Sequence, residues 1–141
     1  MKEKIYEIEG KFVSYYYPET KTIVDIWEDL SASFEDWKST IYDVGIMKFA
    51  PQKGATTWIT DTSNAKGVFD KRIQEFREEV SAAAMAKSGI KLFFTVTSSS
   101  AIATLSARKT SKAYSGHGDM KSITVSSVEE AFEVRDKEFA K

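Results

Sequence analysis

Apolar and polar positions alternate along the first part of the chain in the way that β-strands require. Residues 11–17 and Thr22–Trp27 are rich in aromatic and β-branched side chains, and residues 18–21 separate them with one proline and three polar side chains. Two such runs with a proline-containing break predict a β-hairpin. The short run at residues 5–8 either extends the first strand or forms a strand of its own.

A helical pattern follows the hairpin. Ser33, with Asp36 three residues later, is typical of a helix N-terminus. Four apolar residues then recur at intervals of three or four, which places them on one helical face: Phe34, Trp37, Ile41 and Val44. Gly54 lies in a predicted loop, and "TTWIT" after it predicts a short strand because its residues are β-branched or aromatic.

A second helical pattern begins after the polar cluster "DTSN". Its apolar positions keep the same spacing: Phe69, Ile73, Phe76, Val80 and Ala83 or Ala84. This periodicity predicts a long helix that runs to about Lys87, and Gly89 is well placed to end it.

The last part of the chain repeats the strand–helix alternation. Residues 90–96 are almost continuously apolar, which predicts an interior strand buried on both faces. The stretch "TSSSAIATLSARKTSKAY" predicts a helix capped by one of its first serines, "GHGD" a loop and "KSITV" a further strand. A final helix is predicted in "SSVEEAFEVRDKEF", where Ser127 and Glu130 have the spacing of a capping box.

This order of elements defines the expected fold class. A hairpin followed by alternating helices and strands predicts an α/β protein with a mixed sheet, parallel crossovers and an antiparallel edge. We expect a single domain over residues 1–141, with four to five strands and about four helices.

Composition narrows the chemistry that this domain can perform. The chain has no cysteine, so disulfides, thiolate catalysis and cysteine-ligated metals are excluded, and its one histidine, His117, argues against a conventional zinc site. Charged residues occupy the N-terminus where a signal peptide needs an apolar core, so we expect a cytoplasmic protein. No apolar run approaches the roughly 20 residues that span a bilayer.

Charge is distributed unevenly, although the net charge is only −1. Residues 81–125 carry six basic side chains against Asp119 alone, between acidic flanks. Such a segment attracts an anionic ligand or partner, or else surface lysines have simply accumulated there. The basic residues, Arg108, Lys109 and Lys112 among them, form no dense phosphate-binding stripe, so no nucleic-acid partner is expected.

Two polar clusters follow predicted strands and precede predicted helices. The first consists of Asp61, Thr62, Ser63 and Asn64, and the second of Ser98, Ser99 and Ser100. The simplest interpretation is that each caps its helix. If the two strands are parallel neighbours, both clusters lie at one edge of the sheet, where ligands of open α/β sheets bind and helix N-termini attract anions.

The element order, the "DTSN" cluster between a strand and a helix, and the C-terminal helix entered through "SSVEEAF" resemble the STAS-like proteins. These have the fold of the anti-sigma factor antagonists, and the similarity is closest to the bacterial STAS/SEC14-like branch. The resemblance implies that a partner kinase phosphorylates a hydroxyl in the loop after a central strand. Ser63 and Thr62 are the matching positions here. The family's Asp-Ser-Ser-Gly run is absent, and Asn64 stands where its glycine would be.

The expected function is a non-enzymatic regulatory or protein-interaction domain. The alternative is a binding domain for a small apolar or anionic ligand such as a lipid. Asp25, Glu28 and Asp29 imitate a carboxylate cluster, but acids are common where a strand precedes a helix, and Tyr16 and Trp27 are either core residues or the lining of an apolar pocket. No catalytic residue, cofactor or metal site is expected, since no catalytic constellation is visible. A homodimer is one possible assembly.

Overall fold

The computed structural model describes residues 2–97 and 118–140. Within these residues the chain forms one six-stranded mixed sheet whose spatial order follows the sequence. The strands are β1 (Glu3–Ile8), β2 (Phe12–Tyr17), β3 (Thr22–Trp27), β4 (Thr57–Asp61), β5 (Leu92–Val96) and β6 (Lys121–Val125). β1, β2 and β3 pair antiparallel, whereas β3, β4, β5 and β6 pair parallel.

The sheet confirms the predicted hairpin but has more strands than expected. β2 and β3 form the hairpin, and β1 adds a separate antiparallel strand at the edge. A tight turn joins β1 to β2, in which the Lys11 N–H donates to the Ile8 carbonyl (2.9 Å) and Gly10 adopts a left-handed φ of 75°. Glycine tolerates this conformation without a steric cost. The prediction of four to five strands was therefore too low.

Three helices lie among the described residues, and two of them contain π-helical segments with i→i+5 hydrogen bonding. The first, α1, consists of Phe34–Trp37, the π-helical Lys38–Phe49 and Ala50–Lys53. The second, α2, consists of Lys71–Phe76, the π-helical Arg77–Ser81 and Ala82–Lys87, and α3 is Val128–Phe139. The fourth predicted helix, after β5, lies outside the described residues.

The predicted caps of α1 and α3 are confirmed. The hydroxyl of Ser33 accepts the backbone N–H of Asp36 (3.1 Å), and that of Ser127 accepts the N–H of Glu130 (3.0 Å). Each bond satisfies one of the free donors of a first helical turn. Gly89 follows the C-cap residue of α2, Ser88, and has a φ of 110°, as expected of a glycine that ends a helix.

The helices cover the sheet on both faces. α1 and α2 pack on one face, in a core that includes Ile23, Trp58 and Phe93. α3 packs on the other face, where Ala131 is fully buried and the Phe132 ring meets Tyr17 edge to face (5.1 Å between centroids). This two-sided coverage explains why every residue of β5 is buried, as predicted for an interior strand.

Two apolar residues predicted on the inner helix faces lie outside the core. Val44 is 40% exposed and Val80 is 37% exposed, whereas Gly45, Ile46, Arg77 and Ser81 are buried. Both errors fall in π-helical segments, where i→i+5 bonding takes more residues per turn and rotates the inner face away from its 3.6-residue positions.

None of the described helices has the combination of length and apolar composition needed to cross a bilayer.

Candidate functional site

The structure brings the end of β4 beside the end of β5, as the two-cluster prediction required. Asp61 pairs with Val96 in the parallel register. The backbone N–H and the hydroxyl of Thr62 both donate to the Val96 carbonyl, at 3.0 and 2.9 Å. These two hydrogen bonds hold the Asp61–Asn64 cluster against the carboxyl end of β5. Ser98, Ser99 and Ser100, the second cluster, lie outside the described residues, as do Arg108, Lys109, Lys112 and His117.

The prediction that Thr62–Asn64 caps a helix is wrong. The N-cap of α2 is Asp70, whose carboxylate accepts the N–H of Arg72 (2.7 Å). Between the cluster and this cap, the chain passes beside residues 28–30 after β3, where Lys66 forms a parallel bridge with Asp29. There the Leu30 N–H donates to the Lys66 carbonyl (2.9 Å), and the Lys66 N–H donates to the Glu28 carbonyl (3.1 Å). These backbone bonds hold residues 62–70 as a loop.

The cluster itself forms a closed turn. The Asp61 carboxylate accepts both the N–H (3.0 Å) and the hydroxyl (2.6 Å) of Ser63. The Ala65 N–H donates to the Thr62 carbonyl (3.1 Å), and the Asn64 side chain is exposed. The N–H groups of Ser63 and Ala65 are therefore used within the turn and that of Thr62 is used by Val96, and α2 does not begin at this cluster. A binding or phosphorylation role for Asp61, Thr62, Ser63 and Asn64 stays a prediction without that electrostatic support.

The predicted carboxylate cluster separates into two environments. Asp29 lies at the end of β3, where it contacts Lys11 (3.2 Å) and accepts the N–H (2.9 Å) and hydroxyl (2.6 Å) of Ser31. These bonds, the Ser31 hydroxyl first, lower the pKa of Asp29 to about 2. Asp25 instead lies in the middle of β3, and its side chain is buried. Its placement at a strand end was wrong.

Asp25 belongs to a buried polar row that crosses three strands beneath α1. Tyr6, Ser14 and Asp25 are successive cross-strand partners on β1, β2 and β3. From β4, the indole Nε1 of Trp58 donates to Asp25 Oδ2 (2.9 Å). The Tyr6 hydroxyl, Ser14 Oγ and Asp25 Oδ1 are buried and have no hydrogen-bond partner among the described residues. Buried polar atoms are nearly always bonded, so this row is an energetically costly part of the core.

Burial controls the protonation of this carboxyl. Removal from water raises the pKa of Asp25 to about 7, against the opposing influence of Ser14 and Trp58. Ser14 is close enough to act on the carboxylate, although the two groups do not meet hydrogen-bonding geometry. The hydrogen bond from Trp58 is short and well formed, so it is the stronger of the two contacts to Asp25.

A cavity of about 20 Å³ adjoins Asp25 and has room for a single water molecule. Arg77 of α2 lines it, with its guanidinium 4.8 Å from the centre of the Phe69 ring. Asp25 is only 1% exposed, so it meets no substrate larger than water in this conformation. The alternation of Ile23, Asp25 and Trp27 along β3 is the sequence signal that could have placed this carboxylate in the core.

A surface groove lies between α1 and α2. Its volume is about 540 Å³. The groove is lined mainly by apolar residues, with two opposite charges: Tyr42, Ile46, Met47, Pro51, Glu79, Val80, Ala83, Ala84, Lys87 and Ser88. Met47 is 51% exposed, so part of this apolar lining faces solvent. Sequence periodicity missed the groove because Val80 was placed in the core.

The class of protein that the fold defines is α/β, with a mixed sheet covered on both faces by helices. Comparisons with protein-family models, curated proteins and solved structures find no match to this chain. The STAS-like resemblance and the function that it implies therefore stay predictions.

Proposed function

We propose that this chain is a non-enzymatic protein-interaction domain of the STAS-like kind, and that it binds a protein partner through the groove between α1 and α2. One observation carries the proposal. Among the described residues, the cavity beside Asp25 in the core beneath the helices has room for only one water, while apolar side chains line an open groove on the outside. A filled core with an exposed apolar surface is what distinguishes an interaction domain from a container for a small ligand.

The composition of the groove suits a protein surface. Met47 supplies a flexible, polarisable contact that adapts to different neighbours. Ala83 and Ala84 are small, so an approaching helix can come close to the α2 backbone. Glu79 and Lys87 border this apolar centre with polar groups, the arrangement typical of interfaces.

A small apolar ligand is the second candidate. The groove volume of about 540 Å³ falls within the range of roughly 300–1,000 Å³ that is usual for ligand pockets. A lipid chain would bury against the same apolar side chains. The two candidates share the surface and differ in what occupies it.

Site-specific photo-cross-linking in the native cells tests the proposal. A photoreactive benzoylphenylalanine replaces Met47 in the groove or, as a matched control, the exposed Val68 in the loop before α2. We expect a discrete protein adduct from position 47 and none from position 68. Val80→Glu, which places a charge in the groove, should abolish the adduct.

The possible outcomes separate the candidates. A protein adduct that depends on Val80 supports the interaction domain. A small-molecule adduct, visible by intact mass spectrometry, supports the ligand-binding alternative. If positions 47 and 68 give the same pattern, the groove is not a specific binding surface and the proposal fails.

A further inference from the structure

The groove side of α2 carries opposite charges on either side of a small apolar centre. Glu79 and Lys87 both line the groove, and Ala83 lies midway between them. Eight residues of helix separate the two charges by about 12 Å along the axis. Within the described residues, no ion pair engages either side chain, so both charged groups are available to a partner.

This arrangement is complementary to itself. If a second α2 lies antiparallel to the first, with a two-fold axis near Ala83, Glu79 of each copy faces Lys87 of the other. A two-fold interface of this isologous kind repeats every contact, so one pair of residues supplies two ion pairs. In a parallel arrangement, by contrast, like charges would face each other and repel.

The apolar lining of the groove is also compatible with this two-fold arrangement. Ala83 and Ala84 at the centre allow the two helices to approach closely, because the distance between packed helices depends on the side chains at the contact. Val80 flanks this centre on α2. Met47 of α1 borders the other side of the groove, so it would contact the incoming α2 and contribute to the apolar seam.

We infer that the partner in the groove is a second copy of this chain, and that the two copies form an antiparallel α2–α2 dimer with reciprocal Glu79–Lys87 contacts. The inference rests on the proposed function and specifies the protein partner. We expect a dissociation constant on the order of micromolar, at the weak end of the range for protein interfaces.

Charge reversal tests the register of the dimer. The dissociation constant of the purified full-length chain is measured by sedimentation equilibrium for Glu79→Lys, for Lys87→Glu and for an equimolar mixture of the two. Each single variant places like charges opposite each other and should weaken self-association at least tenfold. In the mixture, both groove positions of one copy carry lysine and both positions of the other carry glutamate. Opposite charges then face each other at each contact, so dimers should form again as tightly as in the wild type.

Glu78→Lys is the matched control, since Glu78 is exposed on the same helix but does not line the groove. It makes the same charge change and should leave the dissociation constant within about twofold of the wild type. Circular dichroism checks that each variant is folded, which is expected because all three positions are on the surface.

Two results would overturn the inference: a wild-type chain that stays monomeric at millimolar concentration, or a mixture that associates no better than the single variants. If the dimer does not form but the photoreactive residue at position 47 still cross-links to a different protein, the proposed function is still supported. If the dimer fails and position 47 also gives no specific protein adduct, both proposals fail.

Discussion

Replacing Asp25 by asparagine separates the cost of a buried charge from the cost of altered packing. Asparagine has nearly the same shape as aspartate, and its side-chain oxygen can accept the Trp58 indole N–H that now binds Oδ2 at 2.9 Å. The amide group cannot ionise. Any difference between the two proteins that depends on pH therefore reports the titration of Asp25.

The magnitude follows from the pKa of this carboxyl in the two states. In the folded protein burial raises the pKa to about 7, against an ordinary value of 3.8. The native state therefore holds the proton more tightly than the unfolded chain, and stability is greatest below the unfolded pKa. Between about pH 4 and pH 7 the free energy of unfolding should fall by roughly 1.4 kcal/mol per pH unit from this group. The full loss is about 4 kcal/mol, reached above pH 7.

Urea unfolding at pH 4, 5, 6, 7 and 8, followed by tryptophan fluorescence, measures this effect. We expect Asp25→Asn to gain stability relative to the wild type as the pH rises, by about 4 kcal/mol between pH 4 and pH 8. Other titrating groups are common to both proteins and cancel in the difference.

Asp119→Asn is the control, because the Asp119 side chain is 91% exposed. Its stability relative to the wild type should stay nearly constant over the same pH range. A constant difference for Asp25→Asn as well would refute the reasoning, since it would mean that water or a cation compensates the buried carboxylate.

Three further predictions concern packing. Amides of β5 (Leu92–Val96) should exchange only through global unfolding, and fast exchange there would contradict its interior position. Phe76→Ala should cost about 3 kcal/mol in chemical denaturation, because three rings of α1 surround Phe76; a loss below about 1 kcal/mol would mean that those contacts contribute little. Gly45→Ala should cost about 1–3 kcal/mol in the same assay, since its Cβ would collide with the Tyr6 hydroxyl. Adding Tyr6→Phe should restore much of that loss, and no recovery would argue against the collision.

Local signals in the sequence were sufficient to predict most of the regular structure. The hairpin, β4, β6 and the cap at Ser127 depend on residues within a few positions of one another, and the structure confirms them. The interior position of β5 could also be predicted, because strands that are covered on both faces consist almost entirely of apolar residues. These are features in which local preference and tertiary packing agree.

The error at Asp61–Asn64 has a different origin. Ser63 and Asn64 are as good helix caps as Asp70 by local preference, so the sequence offers two starting points for α2. Tertiary hydrogen bonds select the second one. Thr62 binds the Val96 carbonyl on β5, and Lys66 pairs with residues 28–30 after β3, which keeps the chain in a loop until Asp70. Those partners are more than 30 residues away, beyond the reach of a local pattern.

The π-helical segments link the buried polar row to the exposed groove. In α2, the i→i+5 bonding of Arg77–Ser81 turns Arg77 toward the cavity beside Asp25 and turns Val80 outward to the groove. In α1, Gly45 is turned inward above the Tyr6 hydroxyl, in a space that no larger residue could share. Each segment thus places a polar or small residue in the core and leaves an apolar residue at the surface.

This exchange has an energetic cost, because apolar area that could be buried remains in water. At about 25 cal/mol per Å² of apolar surface, burial of the groove in a complex would recover part of that free energy. The same rotation therefore explains why a 3.6-residue periodicity misplaces Val80 and why α2 presents an apolar seam between Glu79 and Lys87.

Restoring regular α-helical bonding across Arg77–Ser81, by deleting one residue of that segment, should bury Val80 and close the groove. The deletion should abolish self-association in sedimentation equilibrium, whereas an unchanged dissociation constant would show that the interface lies elsewhere on the protein.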